Sequence, residues 1–425
     1  VRAVVNNEFG FPPPAFKVFK SVKKTTCVPQ FYGLEKFGKV VDNRPPPTPL
    51  RSTVKFVGKL RTETCQVEAF TKGVTIGHGV LSLPCGFGKT TVALAMAVKL
   101  GYRTMIIVHK EFLANQWRER IKQFCPGATI GVVQQDKIEV GCDFVIGMLQ
   151  SISTKKYTFD QFESIGTLFV DEAHHICARV FSQSLFKLCP RHCYGLSATP
   201  ERKDGLTKVL HWFLGPIFFE VERKNQTDVV VEVIPYDCPM YKQAPPCNRN
   251  GKVSFVQMVT DCVENKHRTK MLIDLIKRVS GGTHQVLVLS DRRLHCEEMH
   301  SYFTEVSGLY MGGMKEEALE ESSRKSIIFG TYSQAHEGLD IPTLDTIILT
   351  TPKSDIKQAI GRILRETPGK NNSPRIFDIW DKWSLLNAMY TKRRKVYRQG
   401  GFIFNSEIES PPDTDVNLFK GKCLL

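Results

Sequence analysis

The sequence predicts an α/β protein of two tandem units, each a parallel sheet with helices on both faces. Three observations carry this. From about Val57 onward, short apolar runs alternate with longer amphipathic stretches. The same rhythm resumes in the second half, after a break rich in Pro, Asn and Gly. The chain has 425 residues, 42% of them hydrophobic, enough for two domains at roughly 100–200 residues each.

Taken in order, GVLSLP (79–84) precedes the helix-like TTVALAMAVKL, and TMIIVH (104–109) precedes EFLANQWRERIKQF. FVIGM (144–148), TLFVDE (167–172) and CYGLSAT (193–199) follow. Runs this short and continuously apolar suit strands buried on both faces. In the second half QVLVLS (285–290) leads into a helix from about Arg292, with SIIFGT (326–331) and TIILTT (346–351) beyond it. The stretch 237–252 reads as a hinge or connecting loop. The expected organisation is a basic, Pro-rich extension over 1–56, one domain over 57–236, a second over 237–405, and a tail over 406–425. The extension holds Pro12, Pro13, Pro14 and Pro45, Pro46, Pro47 and reads as a wrap over the surface without its own core.

The formal net charge is +15, which favours a polyanionic partner, nucleic acid being the commonest. The surplus is uneven: 1–60 holds eleven Lys/Arg against three Asp/Glu, and 353–400 holds twelve against four. Those stretches are the expected basic surfaces. Thirteen cysteines without framework spacing read as free thiols in a reducing, intracellular compartment. Cys189, His192 and Cys193 form the densest group, read as core thiols or as half of a metal site. No apolar run approaches the roughly 18 residues a membrane span needs, and the first thirty residues, which begin at Val1, lack the apolar core of a secretory signal.

The strongest local signal is PCGFGKTT: Pro84, Cys85, Gly86, Phe87, Gly88, Lys89, Thr90 and Thr91. It follows a predicted strand and opens a helix, as a phosphate-binding loop must. Gly86 and Gly88 let the backbone approach an anion. Lys89 would place its ammonium on β/γ phosphates, and Thr90 would hold Mg²⁺ through its hydroxyl. A general phosphate loop has Gly five places before Gly88, where this chain has Leu83. A glycine-rich turn with a chance Lys-Thr is the alternative. The second signal is VDEAHH (170–175), ending an apolar strand. Adjacent carboxylates at a strand's end are costly unless a cation meets them. Asp171 would hold the metal and Glu172 would take a proton from the attacking water; an acidic helix start is the alternative. The third is QAIGRILRE (358–366), where Arg362 and Arg365 share a helix face. They could neutralise a transferring phosphoryl group, or form a solvated basic face.

The ordered set PCGFGKT, DEAH, SAT, Glu-Gly-Leu-Asp and QxxGRxxR resembles the superfamily-two helicases and translocases over roughly residues 60–402. GLSATPERKDG and QAIGRILR look most like the XPB-like and UvsW-like DNA helicase branch, and the tail KRRKVYRQGGF is similar to the ends of helicases from large cytoplasmic DNA viruses, the poxvirus transcript-release type among them. The resemblance implies two RecA-like domains with ATP in the cleft between them, Mg²⁺ as cofactor, and 3′→5′ movement. It implies that Gln66 reads adenine, although its spacing from Leu60 and Arg61 departs from the family's pattern. Ser197, Ala198 and Thr199 would couple nucleotide state to movement, and Gln358 would approach the γ-phosphate. Thr331, with Glu337, Gly338 and Asp340, would link the strand to the nucleotide. His109, Lys110, Gln150 and Ser151 would touch nucleic acid.

The expectation is therefore an ATP-hydrolysing, monomeric nucleic-acid motor acting on DNA. Replication, repair or transcription proteins are its expected partners, and its expected place is the cytoplasm or viral factory for a viral protein and the nucleus otherwise. Two alternatives stay open. One is a helicase for RNA or RNA–DNA hybrids, or a transcript-release factor; the short stretch after Phe402 speaks against the DEAH-type RNA branch with its long auxiliary domains. The other is a nucleotide-gated clamp with little turnover, against which Glu172 and the two arginines count.

Overall fold

A computed structural model describes residues 2–3, 15–38, 40–84, 86–177, 180–198, 200–201, 204–221, 228–337, 339, 341–364 and 372–405. The chain divides into two compact units, Val1–Glu222 and Arg223–Leu425.

The first unit is organised on an eight-stranded sheet. Its order across the sheet is Ile217–Glu220, His78–Ser82, His192–Ser197, Thr167–Asp171, Thr104–Val108, Phe144–Met148, Ile130–Gln134 and Lys137–Ile138. All neighbours are parallel except the last pair. Parallel pairing requires a crossover between strands, and the alternating helices supply it. The period of two divides each strand between the faces. Val80, Met105 and Ile107 join one core, while Leu81, Ile106 and Val108 join the other. The helix Glu111–Phe124 covers the second face with Leu113, Ala114, Trp117 and Ile121, a helical spacing.

The second unit is organised on a seven-stranded parallel sheet. Its order is Ser307–Tyr310, Ile327–Thr331, Val286–Ser290, Thr346–Leu349, Arg375–Asp381, Val230–Tyr236 and Ile403–Phe404. Leu287 and Leu289 face one core, Val286 and Val288 the other. The two units are tandem RecA-like domains, each an α/β layer structure with a dominantly parallel sheet.

Two sequence expectations need correction. The strand Val230–Tyr236 pairs along its whole length with Arg375–Asp381, so it belongs to the second sheet and not to a first domain ending at residue 236. The stretch 237–252 is also part of the second unit. Its short turn Pro239–Lys242 buries Tyr241, whose ring stacks on Trp383 at 4.9 Å and whose hydroxyl donates to Asp381 Oδ1 at 2.8 Å. The Pro-Pro and Asn-Gly residues that look like a linker form an internal turn closed by hydrogen bonds between Asn248 and Lys252.

The N-terminal extension is stitched to the first unit by backbone pairing. Leu50 N–H donates to Gly101 O at 2.8 Å, and Arg103 N–H to Thr48 O at 2.8 Å. Arg51 Nε donates to the buried Asp143 carboxylate at 2.9 Å, and Thr129 donates to it through both N–H and hydroxyl. Burial alone would raise the Asp143 pKa, but the Arg51 and Thr129 hydrogen bonds outweigh it and hold the carboxyl well below its ordinary range.

Arg51→Ala removes a donor from a carboxylate that is only 5% exposed and should lower stability, Thr129 remaining as its partner. Because the folded pKa of Asp143 is depressed, its stabilising effect is complete above the unfolded value near 4 and is lost as pH falls further. The stability gap between native chain and variant, read by urea denaturation, should be full at pH 7 and narrow below about pH 4. A gap that does not change with pH would contradict the assignment.

Candidate active site

The phosphate-loop residues lie between the strand His78–Ser82 and the helix Lys89–Leu100. Gly86 and Gly88 both take left-handed backbone angles, φ +86° and +79°, which non-glycine residues rarely adopt. Gly88 is constrained a second way: a Cβ there would lie 2.4 Å from Gln66 Nε2. Phe87 N–H donates to Pro84 O, and Lys89 Nζ donates to Leu83 O at 2.9 Å. The lysine thus reaches back across the loop it follows. Thr90 and Thr91 occupy the first helical turn, and Cys85 lies outside the described residues.

Gln66 is buried, its Oε1 accepts from Arg61 N–H at 2.9 Å, and its Nε2 donates to Phe87 O at 3.0 Å. Both ends of the amide are bonded to backbone, so Gln66 braces the loop. Arg61 adds a longer bond to Gly86 O at 3.4 Å.

Asp171 ends the strand Thr167–Asp171. Burial raises its pKa, and the Glu172 charge raises it further; Trp117 and the charge of Lys89 act in the opposite direction. Trp117 Nε1 donates to Asp171 Oδ2 at 2.8 Å, and Glu172 N–H donates to Asp171 Oδ1 at 3.0 Å. Glu172 has a left-handed φ of +44°, a strained conformation for a residue with a Cβ. Its Oε2 is buried without a hydrogen bond, 3.5 Å from His174 Nδ1. His174 Nδ1 also lies 3.3 Å from Ser197 Oγ. Ser197 sits level with Ser82 in the next strand, and Leu196 with Asp171, so the parallel register brings the SAT motif, the acidic pair and the start of the phosphate loop to the same edge. Ala198 is half-buried beyond the strand, and Thr199 lies outside the described residues.

Two adjacent, partly buried carboxylates, one of them with an unbonded buried oxygen, form a site short of positive charge. That fits a divalent cation with oxygen ligands, with Asp171 and Thr90 as the candidate holders.

Of the expected nucleic-acid positions, His109 belongs to a histidine stack behind the acidic pair. Its ring lies 4.0 Å from that of His175, which lies 4.3 Å from that of His174. Burial lowers its pKa, and the neighbouring Lys110 charge adds to this. Lys110 precedes the helix Glu111–Phe124, and burial lowers its pKa. Gln150 is exposed on the short helix Leu149–Thr154, and Ser151 Oγ accepts from Gln135 N–H at 3.0 Å. Thr331 ends a strand of the second unit, its hydroxyl 3.1 Å from that of Ser333. Gln358 is half-buried on the helix Lys357–Ile363. Arg362, on the same helix, is 8% exposed and donates from Nε to Ala335 O at 2.6 Å, an anchoring bond that the reading of a free basic face does not include. Arg365, Gly338 and Asp340 lie outside the described residues, as does the Glu337 side chain.

At the cysteine group, Cys193 is a buried thiol whose pKa burial pushes up to about 12, and its Sγ donates to Phe213 O at 3.9 Å. Among the described residues, no three His, Cys, Asp or Glu side chains stand together as a metal site, and no helix is long and apolar enough to cross a membrane.

Trp117 is the residue the motifs do not announce. Its one signal is chemical: a tryptophan on the apolar face of an amphipathic helix needs a partner for its N–H. Trp117→Phe keeps the ring volume close and deletes that donor. The Mg²⁺ concentration that supports ADP binding should rise about 10- to 100-fold, while ADP binding in EDTA stays unchanged. Equal behaviour of both proteins in a calorimetric titration would leave Trp117 a packing residue only.

Residues 59–202 match the family model described as "Type III restriction enzyme, res subunit". The chain is 34% identical over 387 residues to "Putative ATP-dependent RNA helicase L396" of Acanthamoeba polyphaga mimivirus, covering 88% of this chain and 74% of that protein. It is 30% identical over 388 residues to "Putative helicase 161L" of Invertebrate iridescent virus 6, covering 84% and 85%. Among solved structures, T4 UvsW aligns over 80% of this chain and 75% of its own, at 18% identity and a TM-score of 0.34. The chain belongs to the family of ATP-dependent helicases of large DNA viruses and is an ATP-hydrolysing nucleic-acid helicase.

Proposed function

We propose that the chain moves along or unwinds DNA, using ATP hydrolysis centred on Lys89, Thr90, Asp171 and Glu172. The observation that carries the hydrolytic part is the half-buried acidic pair, with an unbonded Glu172 oxygen and with Asp171 feeling the Lys89 charge. The DNA part is supported by the segments GLSATPERKDG and QAIGRILR, which resemble the DNA helicase branch. A second reading, an RNA or RNA–DNA hybrid helicase, is favoured by the name of the mimivirus relative.

In this proposal, backbone N–H groups of the loop from Pro84 to Gly88 and the start of the helix Lys89–Leu100 cradle the polyphosphate. Lys89 leaves Leu83 O for the β/γ phosphates. Thr90 and Asp171 would hold Mg²⁺, which would supply positive charge against the phosphates. Glu172 takes the proton of the attacking water, its strained backbone directing the carboxylate away from the strand. Arg362 and Arg365 neutralise the charge that develops on the transferring phosphoryl, with Gln358, Gly338 and Asp340 beside the nucleotide. Ser197, Ala198 and Thr199 sense the result through His174. Lys110, Gln150, Ser151 and Thr331 grip phosphate and sugar, which makes binding salt-dependent and nearly blind to sequence. A viral factory or the cytoplasm is the proposed place of action.

The decisive measurement is ATPase activity with double-stranded DNA, single-stranded DNA and RNA of equal length, paired with strand displacement on tailed duplexes. DNA should stimulate most; stronger stimulation and displacement by RNA would replace the DNA reading. Lys89→Ala should abolish turnover with the melting temperature unchanged, and retained turnover would refute the phosphate-loop assignment. Arg362→Ala should slow hydrolysis by about 10³-fold or more while ATP still binds. Equal loss of both, with a lowered melting temperature, would assign Arg362 to the anchoring of Ala335 alone.

A further inference from the structure

A groove lies on the first unit away from the phosphate loop, with a volume of about 620 Å³, lined by Lys17, Phe19, Ser153, Val180 and Gln183 among others. One wall is the N-terminal segment and another is the short helix Leu149–Thr154. The period of two in the N-terminal segment sorts its side chains. Phe16 and Val18 are buried in the core, 6% and 0% exposed, while Lys17 and Phe19 alternate outward; Phe16 also reaches the groove floor beside them. Lys17 Nζ lies 5.8 Å from the centre of the Phe19 ring. An aromatic ring half-buried beside an exposed lysine, outside the core its neighbours build, is left with one face to offer.

The chain then turns into an exposed antiparallel hairpin, Lys20–Val22 and Thr25–Cys27, with Lys23 and Lys24 at its tip. Among the described residues, none of Lys17, Lys20, Lys23 and Lys24 pairs with a carboxylate. Lys187 extends the positive region: its ammonium donates to Ile152 O and Lys155 O, closing the end of the helix Leu149–Thr154. Burial lowers the Lys187 pKa, and the charge of Lys20 adds to that effect, so the hairpin's base stands near the helix. That helix also carries Gln150 and Ser151.

An aromatic platform in a groove flanked by unpaired lysines is the combination that holds a single strand without reading its sequence. We propose that this groove binds single-stranded nucleic acid, with a base stacked on Phe19 and phosphates along Lys17, Lys20, Lys23 and Lys24. It is an accessory grip that prolongs the strand path beyond Gln150 and Ser151. A solvated lysine turn would explain the hairpin alone; it would not explain an outward phenylalanine in a groove beside it. The proposal rests on the reading of this chain as a nucleic-acid motor.

The test uses the full chain, Phe19→Ala, and the triple variant K20Q/K23Q/K24Q. Fluorescein-labelled oligo(dT) and oligo(U) of equal length are titrated by anisotropy at several salt concentrations. Phe19→Ala should weaken binding about 5- to 100-fold, the range of one lost stacking contact. The triple variant should flatten the slope of log Kd against log salt by about two, at roughly 0.7 per phosphate contact on a single strand. Basal ATPase without nucleic acid and the saturated ATPase rate should stay at native values, with only the half-saturating concentration raised. The two oligonucleotides separate a DNA grip from an RNA grip.

If the native chain binds neither oligonucleotide, the motor reading itself fails. If it binds and both variants match it in affinity and slope, the groove assignment is overturned and a protein segment becomes its better occupant. Should Phe19→Ala lower the melting temperature, the triple variant, which alters only exposed side chains, decides alone.

Discussion

Two partly buried carboxylates lying side by side at the end of one parallel strand set the terms for the rest of the first unit. Asp171 and Glu172 repel each other, and burial disfavours ionisation of Asp171 as well. The protein offsets this only in part. An indole N–H comes from Trp117, a backbone N–H from Glu172, and a nearby positive charge from Lys89. One Glu172 oxygen is left without a hydrogen bond and its backbone is held at positive φ. A buried polar group in this condition is expensive in an ordinary core. It is understandable where a cation and a polyphosphate enter. The parallel register then has to deliver Ser82, Ser197 and Asp171 to one edge, because only there can the loop, the coupling serine and the acids address one ligand.

The second unit treats buried charge in the opposite way. Arg268 meets both oxygens of Asp381, and Arg393 meets Asp378, which also accepts from the Tyr397 hydroxyl. Each guanidinium also donates to a carbonyl of one loop, Arg268 to Thr350 O and Arg393 to Lys353 O. The Tyr332 hydroxyl donates to Thr351 O. A loop that leads into the helix bearing Gln358 and Arg362 is thus fixed at three carbonyls by buried donors. Removing one partner of such a pair leaves an uncompensated charge, so the network constrains geometry more than it adds stability. Paired charges mark the scaffold of the second unit; the underpaired acids mark the reactive edge of the first.

How much of this was legible depended on the range of each interaction. The phosphate loop could be read because its demands are local: glycines where φ is positive, a lysine and threonine at the first helical turn. The strands could be read because continuous apolar runs have few other uses at that length. The Trp117–Asp171 bond could not be read, since it joins residues 54 apart and nothing in the helix names its partner. The bond from Gln66 to Phe87 O could not be read for a similar reason: it joins residues 21 apart and is chosen in three dimensions. The segment 237–252 misled because turn chemistry looks the same in a linker and in a packed loop; burial of Tyr241 against Trp383 distinguishes them.

The bracing of the phosphate loop ties the extension to the chemistry. Arg51 and Leu50 fasten the segment to the first sheet, and a few residues later Arg61 and Gln66 reach the loop itself. Gln66 Nε2 lies so near Gly88 that any side chain there would collide with it, besides having to adopt a left-handed backbone. Glycine at 88 therefore answers two constraints, one from the anion side and one from beneath. A loop free on its lower side could relax away from its ligand; this one is held from beneath at Phe87 O and Gly86 O. Preorganisation of this kind stabilises charge with little reorganisation when it develops. The segment just after the N-terminal extension, Arg61 to Gln66, is accordingly the phosphate loop's support, and Leu50 and Arg51 fasten the chain that leads into it.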